Sequence, residues 1–312
     1  MKISFVIPCY RSEHTIRGVV GEIQEVVKRQ SPNADYEIIM VSDHSPDSVF
    51  NVISELCERD PQHLKGLELA RNFGQPSAQM AGFAHTCGDI VVSLDDDGQT
   101  PVDEVFRLVD KLHEGYDVVY GTYPNKKHNV FRRIGSDINH FMAVSLIGVT
   151  KGLHTTSFFV MRRYVVDEIL KYVGPFPYVG GLVFRITKNV AHVDVNHRDR
   201  ICGTSGYSFS RLLRLWVNGF TAFSVKPLRV ATWAGLACAI LGFAGGLVTV
   251  LRKLFVDSSV PMGYSSLMCT ILFIGGVMML ILGLIGEYVG RIYICINQAP
   301  QYVISRRINI IA

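Results

Sequence analysis

Apolar and polar positions follow two alternating periods between Met1 and Tyr120. Short runs of β-branched and other apolar residues predict buried strands, and apolar residues three and four positions apart predict amphipathic helices between them. The predicted strands are Ile3–Pro8, Glu37–Ser42, Leu64–Leu69, Ile90–Leu94 and Asp117–Tyr120. The predicted helices are Thr15–Gln30, Pro46–Arg59, Ser77–His85 and Val102–Glu114. This order predicts an α/β fold with a mostly parallel sheet covered on both faces.

Polar or turn-forming residues follow each of the first four predicted strands. The carboxyl ends of parallel strands meet at one edge of a sheet, which is where α/β proteins bind their ligands. The segments that would converge there contain Tyr10, Asp43, Arg71 and Asp95. We therefore expect a nucleotide site at this edge.

Three consecutive carboxylates, Asp95, Asp96 and Asp97, follow the fourth strand and precede Gly98 and Gln99. Adjacent carboxylates repel one another, so a positive charge should offset them. Asp95 and Asp97 would point to the same side of an extended chain. Carboxylate and amide oxygens suit a hard ion such as Mg2+ or Mn2+, so Asp95, Asp97 and Gln99 are candidate metal ligands. The same residues also fit an acidic turn that caps the following helix.

Two later stretches, Val230–Leu251 and Tyr264–Gly286, contain no charged residue. At about 1.5 Å per residue, either helix would cross about 30 Å of hydrocarbon, and we favour two membrane spans over two buried core helices. Lys and Arg are concentrated outside the pair of spans, which predicts that both termini are cytoplasmic. Because no signal-peptide pattern precedes Ile3, the N-terminal part is also expected to stay in the cytoplasm.

Two amphipathic stretches, Phe131–Ile147 and Ser208–Phe220, combine an apolar face with basic residues. Either could pack on the sheet, but their proximity to the spans favours helices lying in the membrane interface. The predicted organisation is a cytoplasmic domain over 1–207, an interfacial helix and linker over 208–229, a two-helix transmembrane domain over 230–290 and a cytoplasmic C-terminal tail over 291–312.

Cysteine usage and net charge narrow the function classes. The 7 cysteines are scattered without a C-x-x-C pair, which argues against a zinc framework or a disulfide scaffold and agrees with a reducing compartment. A net charge of +4 gives no case for nucleic acid but suits the anionic inner face of a membrane. Gly242 and Gly246 permit close packing between spans, including spans of different protomers.

Taken in order, the motifs resemble those of a known family. The chain resembles the membrane-anchored family 2 glycosyltransferases that load a polyprenyl phosphate with a sugar, the dolichyl-phosphate mannose synthase and bactoprenol glucosyltransferase group. The resemblance covers nearly the whole chain. It rests on Val6–Tyr10, Val41–Asp47, Arg71–Gly74, Asp95–Pro101, Gly115–Gly121, Arg200 with Ser205 and Tyr207, Phe223–Arg229 and Gly286–Tyr293.

The resemblance implies a GT-A fold, a nucleotide-sugar donor, a divalent metal (Mg2+ or Mn2+) and inversion at the anomeric carbon. The nucleotide-sugar-binding residues that it implies are Pro8, Tyr10, Glu13, Asp43, Arg71, Gly74, Asp95 and Asp96. The metal would be held on the diphosphate by Asp95, Asp97 and Gln99. Catalytic roles would fall on Asp97 and Arg200. The lipid phosphate would be bound by Arg132, Ser136, Ser205 and Tyr207.

Two positions depart from the family pattern. Many relatives carry an acidic residue where this chain has the segment Thr156-Ser157-Phe158-Phe159, so a carboxylate proposed as catalytic base in relatives is absent at that place. A phosphate monoester is largely dianionic at pH 7 and hardly needs deprotonation. Thr204 stands where relatives often have lysine. Both departures bear on the sugar or the acceptor more than on the reaction class.

The favoured interpretation is an inverting glycosyltransferase that moves a hexose, with glucose the first guess, from a UDP-sugar to a polyprenyl phosphate such as undecaprenyl phosphate. It would act at the cytoplasmic membrane and feed cell-envelope polysaccharide or teichoic acid glycosylation. Because relatives form tetramers, we also expect a homo-oligomer. A processive polysaccharide synthase is disfavoured because the chain lacks a Gln-x-x-Arg-Trp segment. A non-catalytic scaffold that binds nucleotide sugar or lipid is disfavoured by the intact set Asp95, Asp97, Gln99 and Arg200.

Overall fold

The structure, a computed structural model, describes residues 1–123, 155–196, 263–297 and 299–310, together with the single positions 233, 240 and 255. The chain divides into two compact units. One comprises Met1–Leu212 and Gln298–Ala312, and the other comprises Leu213–Asn297. The first unit therefore includes chain from both sides of the second.

An eight-stranded sheet forms the centre of the first unit, with the strand order β7-β5-β6-β4-β1-β2-β3-β8. Its strands are β1 Lys2–Cys9, β2 Asp35–Ser42, β3 Leu64–Leu69, β4 Ile90–Ser93, β5 Val118–Thr122, β6 Phe159–Arg162, β7 Val190–Asp194 and β8 Ile304–Ile308. Five of these strands lie where the sequence pattern predicts them, with ends that differ by a few residues.

The sheet is mixed but mostly parallel, as predicted, because six of its eight strands run in the same direction. The four strands β3, β2, β1 and β4 are parallel to one another, and β5 is parallel to β7. However, β6 lies antiparallel between β4 and β5, and β8 lies antiparallel beside β3. Neither of these two strands is among those predicted from the sequence, and β8 contains Ser305, Arg306 and Arg307 in place of an apolar run.

Within the described ranges of the first unit, six helices cover the sheet, namely α1 Ile16–Gln30, α2 Val49–Arg59, α3 Gln75–Phe83, α4 Val105–His113, α5 Arg163–Leu170 and α6 Val179–Ile186. A short 3-10 turn, Val102–Glu104, precedes α4 within the stretch predicted as one helix. Helix α3 begins after Gly74, whose φ of 92° ends the preceding loop, and Pro76 lies in its first turn. Proline is favoured there because its missing N–H would have no partner in the helix.

Both faces of the sheet are buried, as the sequence pattern predicts. Ile3, Phe5 and Ile7 of β1 pack into a core that includes the apolar faces of α1, α2 and α4. The opposite face of β1 contributes Val6 to a second core with residues of α3, α5 and α6. Helix α3 lies especially close to β1, because a Cβ atom at Gly82 would stand 2.3 Å from Cγ1 of Val6.

The end of the chain returns to the sheet. The sequence analysis describes residues 291–312 as a C-terminal tail, whereas the structure shows that Ile304–Ile308 form β8 at the edge beside β3. Asn309 continues the contact, because its side-chain amide donates to the backbone oxygens of Cys57 (2.8 Å) and Leu64 (2.9 Å). The chain therefore completes the first unit only after it has passed through the second.

The second unit contains helix α7, Tyr264–Ile296. Of the helices in the described ranges, α7 alone is long and apolar enough to cross a membrane, with a window at Ile274–Ile294 of mean hydropathy 1.7. This helix contains the predicted span Tyr264–Gly286. The other predicted span, Val230–Leu251, and both amphipathic stretches lie outside the described residues, apart from the single positions 233 and 240.

Candidate active site

Hydrogen bonds join the segments that follow β1, β2, β3 and β4 at the carboxyl edge of the sheet. The backbone N–H of Tyr10 donates to Asp96 (2.9 Å), and the backbone N–H of Arg11 donates to the hydroxyl of Ser45 (2.7 Å). Asp43 contacts the segment after β3. The predicted convergence of these segments is therefore present.

Asp43 fixes the loop between β3 and α3. Its two carboxylate oxygens accept hydrogen bonds from the backbone N–H groups of Phe73 (2.7 Å) and Gly74 (2.8 Å). Asp43 is buried, and burial raises the pKa of its carboxyl above the usual value although the two hydrogen bonds lower it. The guanidinium of Arg71, which is exposed, stacks over the ring of Phe73 at 4.6 Å and places a positive charge at the rim of this loop.

Glu13 and Asp47 clasp the loops that follow β1 and β2. The N–H of Glu13 donates to Asp47 (3.0 Å), and the N–H of Ser48 donates to Glu13 (2.9 Å). Arg11 and His44, in the same two loops, have positive φ angles of 58° and 50°. Such backbone strain in non-glycine residues concentrates at functional sites. The structure thus gives Glu13 a role in joining the loops, and its contact with a donor stays a prediction.

Asp96 faces a different neighbour from the carboxylates on either side of it. It accepts the N–H of Tyr10, and its backbone oxygen accepts the hydroxyl of Thr15 (2.6 Å). Burial raises the pKa of Asp96 to about 6, and the charge of Asp95 acts in the same direction. Asp96 therefore ties the end of β4 to the loop after β1.

Asp95 receives hydrogen bonds at both carboxylate oxygens. The side-chain amide of Gln75, the first residue of α3, donates to one oxygen (2.9 Å), and the hydroxyl of Ser157 donates to the other. Ser157, one of the positions that depart from the family pattern, thus lies in the site. Sequence reasoning missed Gln75, because nothing in the local pattern distinguishes it from an ordinary first helical residue.

Asp97 and Gln99 form the turn that follows Asp95. The N–H of Gln99 donates to the carboxylate of Asp97 (3.1 Å) across Gly98, whose φ is 73°. Tyr123 lies near these carboxylates, and burial together with the charges of Asp95 and Asp97 raises the pKa of its phenol to about 12. Its hydroxyl therefore stays protonated beside the acidic residues at neutral pH.

Asp95 and Asp97 suit a divalent ion whose coordination is completed by a bound substrate. Among the residues that the structure describes, no group of three or more His, Cys, Asp or Glu side chains is arranged to hold a metal. Mg2+ is usually bound by one or two carboxylates and by substrate phosphates rather than by protein ligands alone. Asp95 and Asp97 supply that number of carboxylates, and the Gln99 amide lies in the same turn.

The remaining predicted site residues divide into two groups. Pro8 is buried in β1, and Tyr10 is exposed with its ring 5.6 Å from the guanidinium carbon of Arg11. The others lie outside the described residues, namely Arg132, Ser136, Arg200, Ser205 and Tyr207.

Comparison with known proteins identifies the family. Residues 4–170 match the profile of glycosyl transferase family 2, and residues 226–292 match that of the GtrB C-terminal hairpin. This chain belongs to glycosyl transferase family 2. It is therefore an enzyme, a glycosyltransferase, and the resemblance to the polyprenyl-phosphate group of this family is confirmed.

Two curated relatives span almost the whole chain. The undecaprenyl-phosphate 4-deoxy-4-formamido-L-arabinose transferase of Klebsiella pneumoniae (strain 342) is 32% identical over 306 residues, which cover 98% of this chain and 93% of the relative. The uncharacterized glycosyltransferase YkcC of Bacillus subtilis (strain 168) is 32% identical over 311 residues, which cover 99% of this chain and 95% of the relative.

Solved structures share the fold of the first unit. Glucosyl-3-phosphoglycerate synthase from Mycobacterium tuberculosis matches in its complex with UDP, with a TM-score of 0.50 and 17% identity over 70% of this chain and 78% of that one. Its complex with Mn2+ and UDP-glucose matches with a TM-score of 0.51 and 18% identity over 69% and 76% of the two chains. The predicted GT-A fold is therefore confirmed, with a mixed sheet.

Proposed function

We propose that this glycosyltransferase moves a sugar from a nucleotide-sugar donor to a polyprenyl phosphate such as undecaprenyl phosphate. The observation that carries the proposal is the meeting of Asp43, Asp95 and Asp97 at one edge of the sheet in a member of family 2. The acceptor is supported by the name of the Klebsiella relative, which aligns with 98% of this chain. Glucose from UDP-glucose is the first donor to test, and a nucleotide-linked 4-deoxy-4-formamido-L-arabinose is the second.

The donor would lie along the edge formed by the loops after β1 to β4. Asp43, through Phe73 and Gly74, holds the β3–α3 loop in one conformation, so this side of the site is organised before the nucleotide arrives. Asp95, Asp97 and Gln99 would hold Mg2+ or Mn2+, which supplies positive charge that screens the departing diphosphate.

The acceptor reaction needs few protein groups. A phosphate oxygen of the lipid forms a bond to C1 of the sugar, and the bond from C1 to the diphosphate breaks with its electron pair leaving on the nucleoside diphosphate. The configuration at C1 inverts. The acceptor phosphate has a second pKa near 6 and is largely dianionic at pH 7, so no carboxylate base is needed to remove a proton from it. Ser157, which stands in the segment where relatives carry such a carboxylate, can therefore donate its hydrogen bond to Asp95 instead. Positioning and charge provide the rate enhancement.

A membrane location suits a polyprenyl acceptor. Helix α7 supplies one apolar segment of sufficient length, and the match to the GtrB hairpin covers residues 226–292. We propose two spans, with the catalytic unit and both termini in the cytoplasm, and an assembly of several copies of the chain. Cysteine labelling from either side of sealed vesicles tests the topology, and light scattering of the purified protein tests the number of copies.

The decisive experiment is a transfer assay on the full chain in detergent. It combines undecaprenyl phosphate, Mg2+ or Mn2+ and a panel of nucleotide sugars, and mass spectrometry detects the lipid product. We expect one donor to give a lipid-phosphate-linked sugar only when both metal and lipid are present. Donor hydrolysis without a lipid product would contradict the proposed acceptor. Nucleotide binding without any turnover would instead favour the scaffold.

A further inference from the structure

The segment after α7, residues 299–310, is called the return segment below. It belongs to the first unit, which is also called the catalytic unit here, and it lies beside the candidate site. The backbone oxygen of Val303 accepts a hydrogen bond from the N–H of Ala70 (2.8 Å), and β8 then pairs antiparallel with β3. Ala70 is the residue at which β3 gives way to the loop that Asp43 holds. The return segment therefore supports this loop at its first residue.

The loop from Ala70 to Gly74, called the donor loop, connects two carboxylates of the site. Its last two N–H groups donate to Asp43, and Gln75, the residue that follows it, donates to Asp95. A displacement of this loop would therefore move groups at both the nucleotide side and the metal side of the proposed site.

The return segment also supports the donor loop through apolar packing. Tyr302 and Phe73 are both partly buried against one cluster on the face of the sheet covered by α3. The members of this cluster are Ile39, Val41, Leu67, Leu69, Ala78 and Ala81. Removing the Tyr302 ring would leave a gap beside this cluster, and neighbouring groups would relax into it.

Gln301 anchors the start of the return segment. Its side chain is buried, and its amide donates to the backbone oxygens of Tyr172 (3.2 Å) and Gly174 (2.9 Å) in the loop after α5. Leaving a buried amide without its hydrogen-bond partners costs considerable free energy, so these two hydrogen bonds hold the backbone before Tyr302 in place. Anchoring at Gln301 and β8 leaves Tyr302 and Val303 little freedom to move.

We propose that Gln301 and Tyr302 are positioning residues for the donor loop. They keep Phe73 and Gly74 in the conformation that Asp43 binds, so the site is ordered before a nucleotide arrives. Without this support the loop must be ordered when the nucleotide binds, which makes the binding free energy less favourable. The apparent affinity is then reduced in proportion to the fraction of molecules whose loop already has the binding conformation. The effect on nucleotide affinity rests on the proposed function, whereas the effect on the loop does not.

The test uses the full chain in detergent and compares variants within the return segment. Tyr302→Ala is expected to weaken the binding of UDP, measured with Mn2+ present, by about tenfold, which a small misplacement of binding groups can cause. Gln301→Ala is expected to act in the same direction with a smaller change. Tyr302→Phe keeps the ring and is expected to bind UDP like the unmodified chain.

Arg306→Ala is the matched control. Arg306 belongs to the same segment, but it pairs with Glu68 and lies over the ring of Phe50 at 4.3 Å, away from the donor loop. We expect Arg306→Ala to lower the melting temperature and leave the affinity for UDP unchanged. A purely structural role for Tyr302 would give the same result in Tyr302→Ala, and that result would overturn the proposal.

Hydrogen exchange at the N–H groups of Phe73 and Gly74 separates this proposal from the proposed function. Tyr302→Ala is expected to speed exchange at both groups, and Arg306→Ala is expected to leave it unchanged. Unchanged exchange in Tyr302→Ala would overturn the positioning role. Faster exchange in a chain that binds no nucleotide would support the positioning role and contradict the donor site. If Tyr302→Ala fails to fold, Gln301→Ala and Tyr302→Leu provide the same comparison.

Discussion

Three neighbouring aspartates of the same type have three different surroundings. Asp95 accepts hydrogen bonds from the neutral side chains of Gln75 and Ser157, and Asp96 is turned toward the loop after β1. Asp97 shapes the turn toward Gln99. β4 ends at Ser93, so this division is set by the turn that follows the strand and by its contacts rather than by the alternation of side chains along a strand. We expect Asp95 and Asp97, rather than Asp96, to share a bound metal ion.

Asp97→Asn is expected to reduce metal-dependent transfer by at least about a hundredfold, the range found when one group that stabilises transition-state charge is removed. The amide keeps the size of the side chain but carries no charge for a cation. Turnover and the Mn2+ concentration for half-maximal rate are the measurements. Asp110→Asn, on the exposed side of α4, is the control and should behave like the unmodified chain. Full activity in Asp97→Asn would remove the proposed metal role.

Ser157→Ala tests whether this segment must supply a catalytic base. The variant loses one hydrogen bond to Asp95, and a hydrogen bond to a charged group is worth about 1.5–3 kcal/mol before exposure reduces it. We expect the rate of transfer to fall by about tenfold and the affinity for Mn2+ to weaken. Of the two hydrogen bonds to Asp95 described above, the variant keeps only the one from Gln75. A loss of about a thousandfold with unchanged Mn2+ affinity would point to direct participation of Ser157 in the chemistry.

At the scale of elements, a close contact between α3 and β1 sets the position of the site. Gly82 allows this contact because it has no Cβ, and α3 carries Gln75 at its other end. We expect Gly82→Ala to destabilise the protein by about 1–3 kcal/mol through overpacking against Val6. Gly18→Ala in α1 is the matched control, since its Cβ would meet nothing within 4 Å. It should be neutral or stabilising by up to about 1 kcal/mol because alanine favours a helix.

Thermal unfolding of both glycine variants, monitored by circular dichroism, provides the comparison. Equal melting temperatures for Gly82→Ala and the unmodified chain would show that α3 can move away from β1 at no cost, contrary to the close packing described here.

A buried ion pair holds the central strands together. Glu37 of β2 is fully buried and accepts hydrogen bonds from Lys65 of β3 (2.6 Å), Ser4 of β1 (2.5 Å) and the N–H of Cys87 (2.7 Å). Burial by itself raises the pKa of Glu37, but these hydrogen bonds outweigh it and lower the pKa to about 2. The folded state therefore favours the ionised carboxylate.

This shift predicts the direction of a pH dependence. Because the folded pKa of Glu37 lies below the unfolded value of 4.5, its contribution is present above that value and is lost as the pH falls toward about 2. Glu37→Gln should lower the free energy of unfolding by about 2 kcal/mol at pH 7, since Lys65 loses its partner, and by less at pH 3. Denaturant unfolding at the two pH values measures this difference.

Glu168→Gln is the control for the ion-pair prediction, because both Glu168 and its partner Lys171 are exposed and an exposed pair contributes little. A Glu37→Gln difference that stays the same at pH 3 and pH 7 would contradict the assignment of the effect to ionisation.

At the scale of the whole molecule, the catalytic unit is discontinuous in sequence. Residues 298–312 belong to the same compact unit as Met1–Leu212, although Leu213–Asn297 form a separate unit between them. The edge strand β8 covers β3, whose backbone would otherwise present unpaired N–H and C=O groups. An uncovered edge of this kind promotes pairing between molecules.

Deletion of residues 298–312 is therefore expected to lower the melting temperature and to promote aggregation of the full remaining chain. Adding a synthetic peptide of residues 299–310 should raise the melting temperature again, because the peptide can pair with β3. Size-exclusion chromatography and thermal unfolding in detergent measure both effects, with a scrambled peptide as control. A truncated chain that stays monodisperse with an unchanged melting temperature would contradict a stabilising role for β8.

Many elements of this fold can be predicted from local patterns in the sequence. The periodicity of apolar residues identifies β1 to β5 and α1 to α4, because each of these elements buries a face that its own sequence must supply. The motif order identifies the family, and the charge-free stretch at Tyr264–Gly286 identifies the N-terminal part of α7. The convergence of the strand ends on one edge follows from the parallel order of the central strands.

Only the tertiary structure decided the features that join distant parts of the chain. Short strands such as β6 and β8 are defined by their partners rather than by their own periodicity, so the sheet is mixed. Ser157 reaches Asp95 across 62 positions, and the contacts of Gln301 span more than a hundred. Local sequence patterns do not reveal such long-range pairs, because the interaction energy that selects them exists only after folding has brought distant segments together.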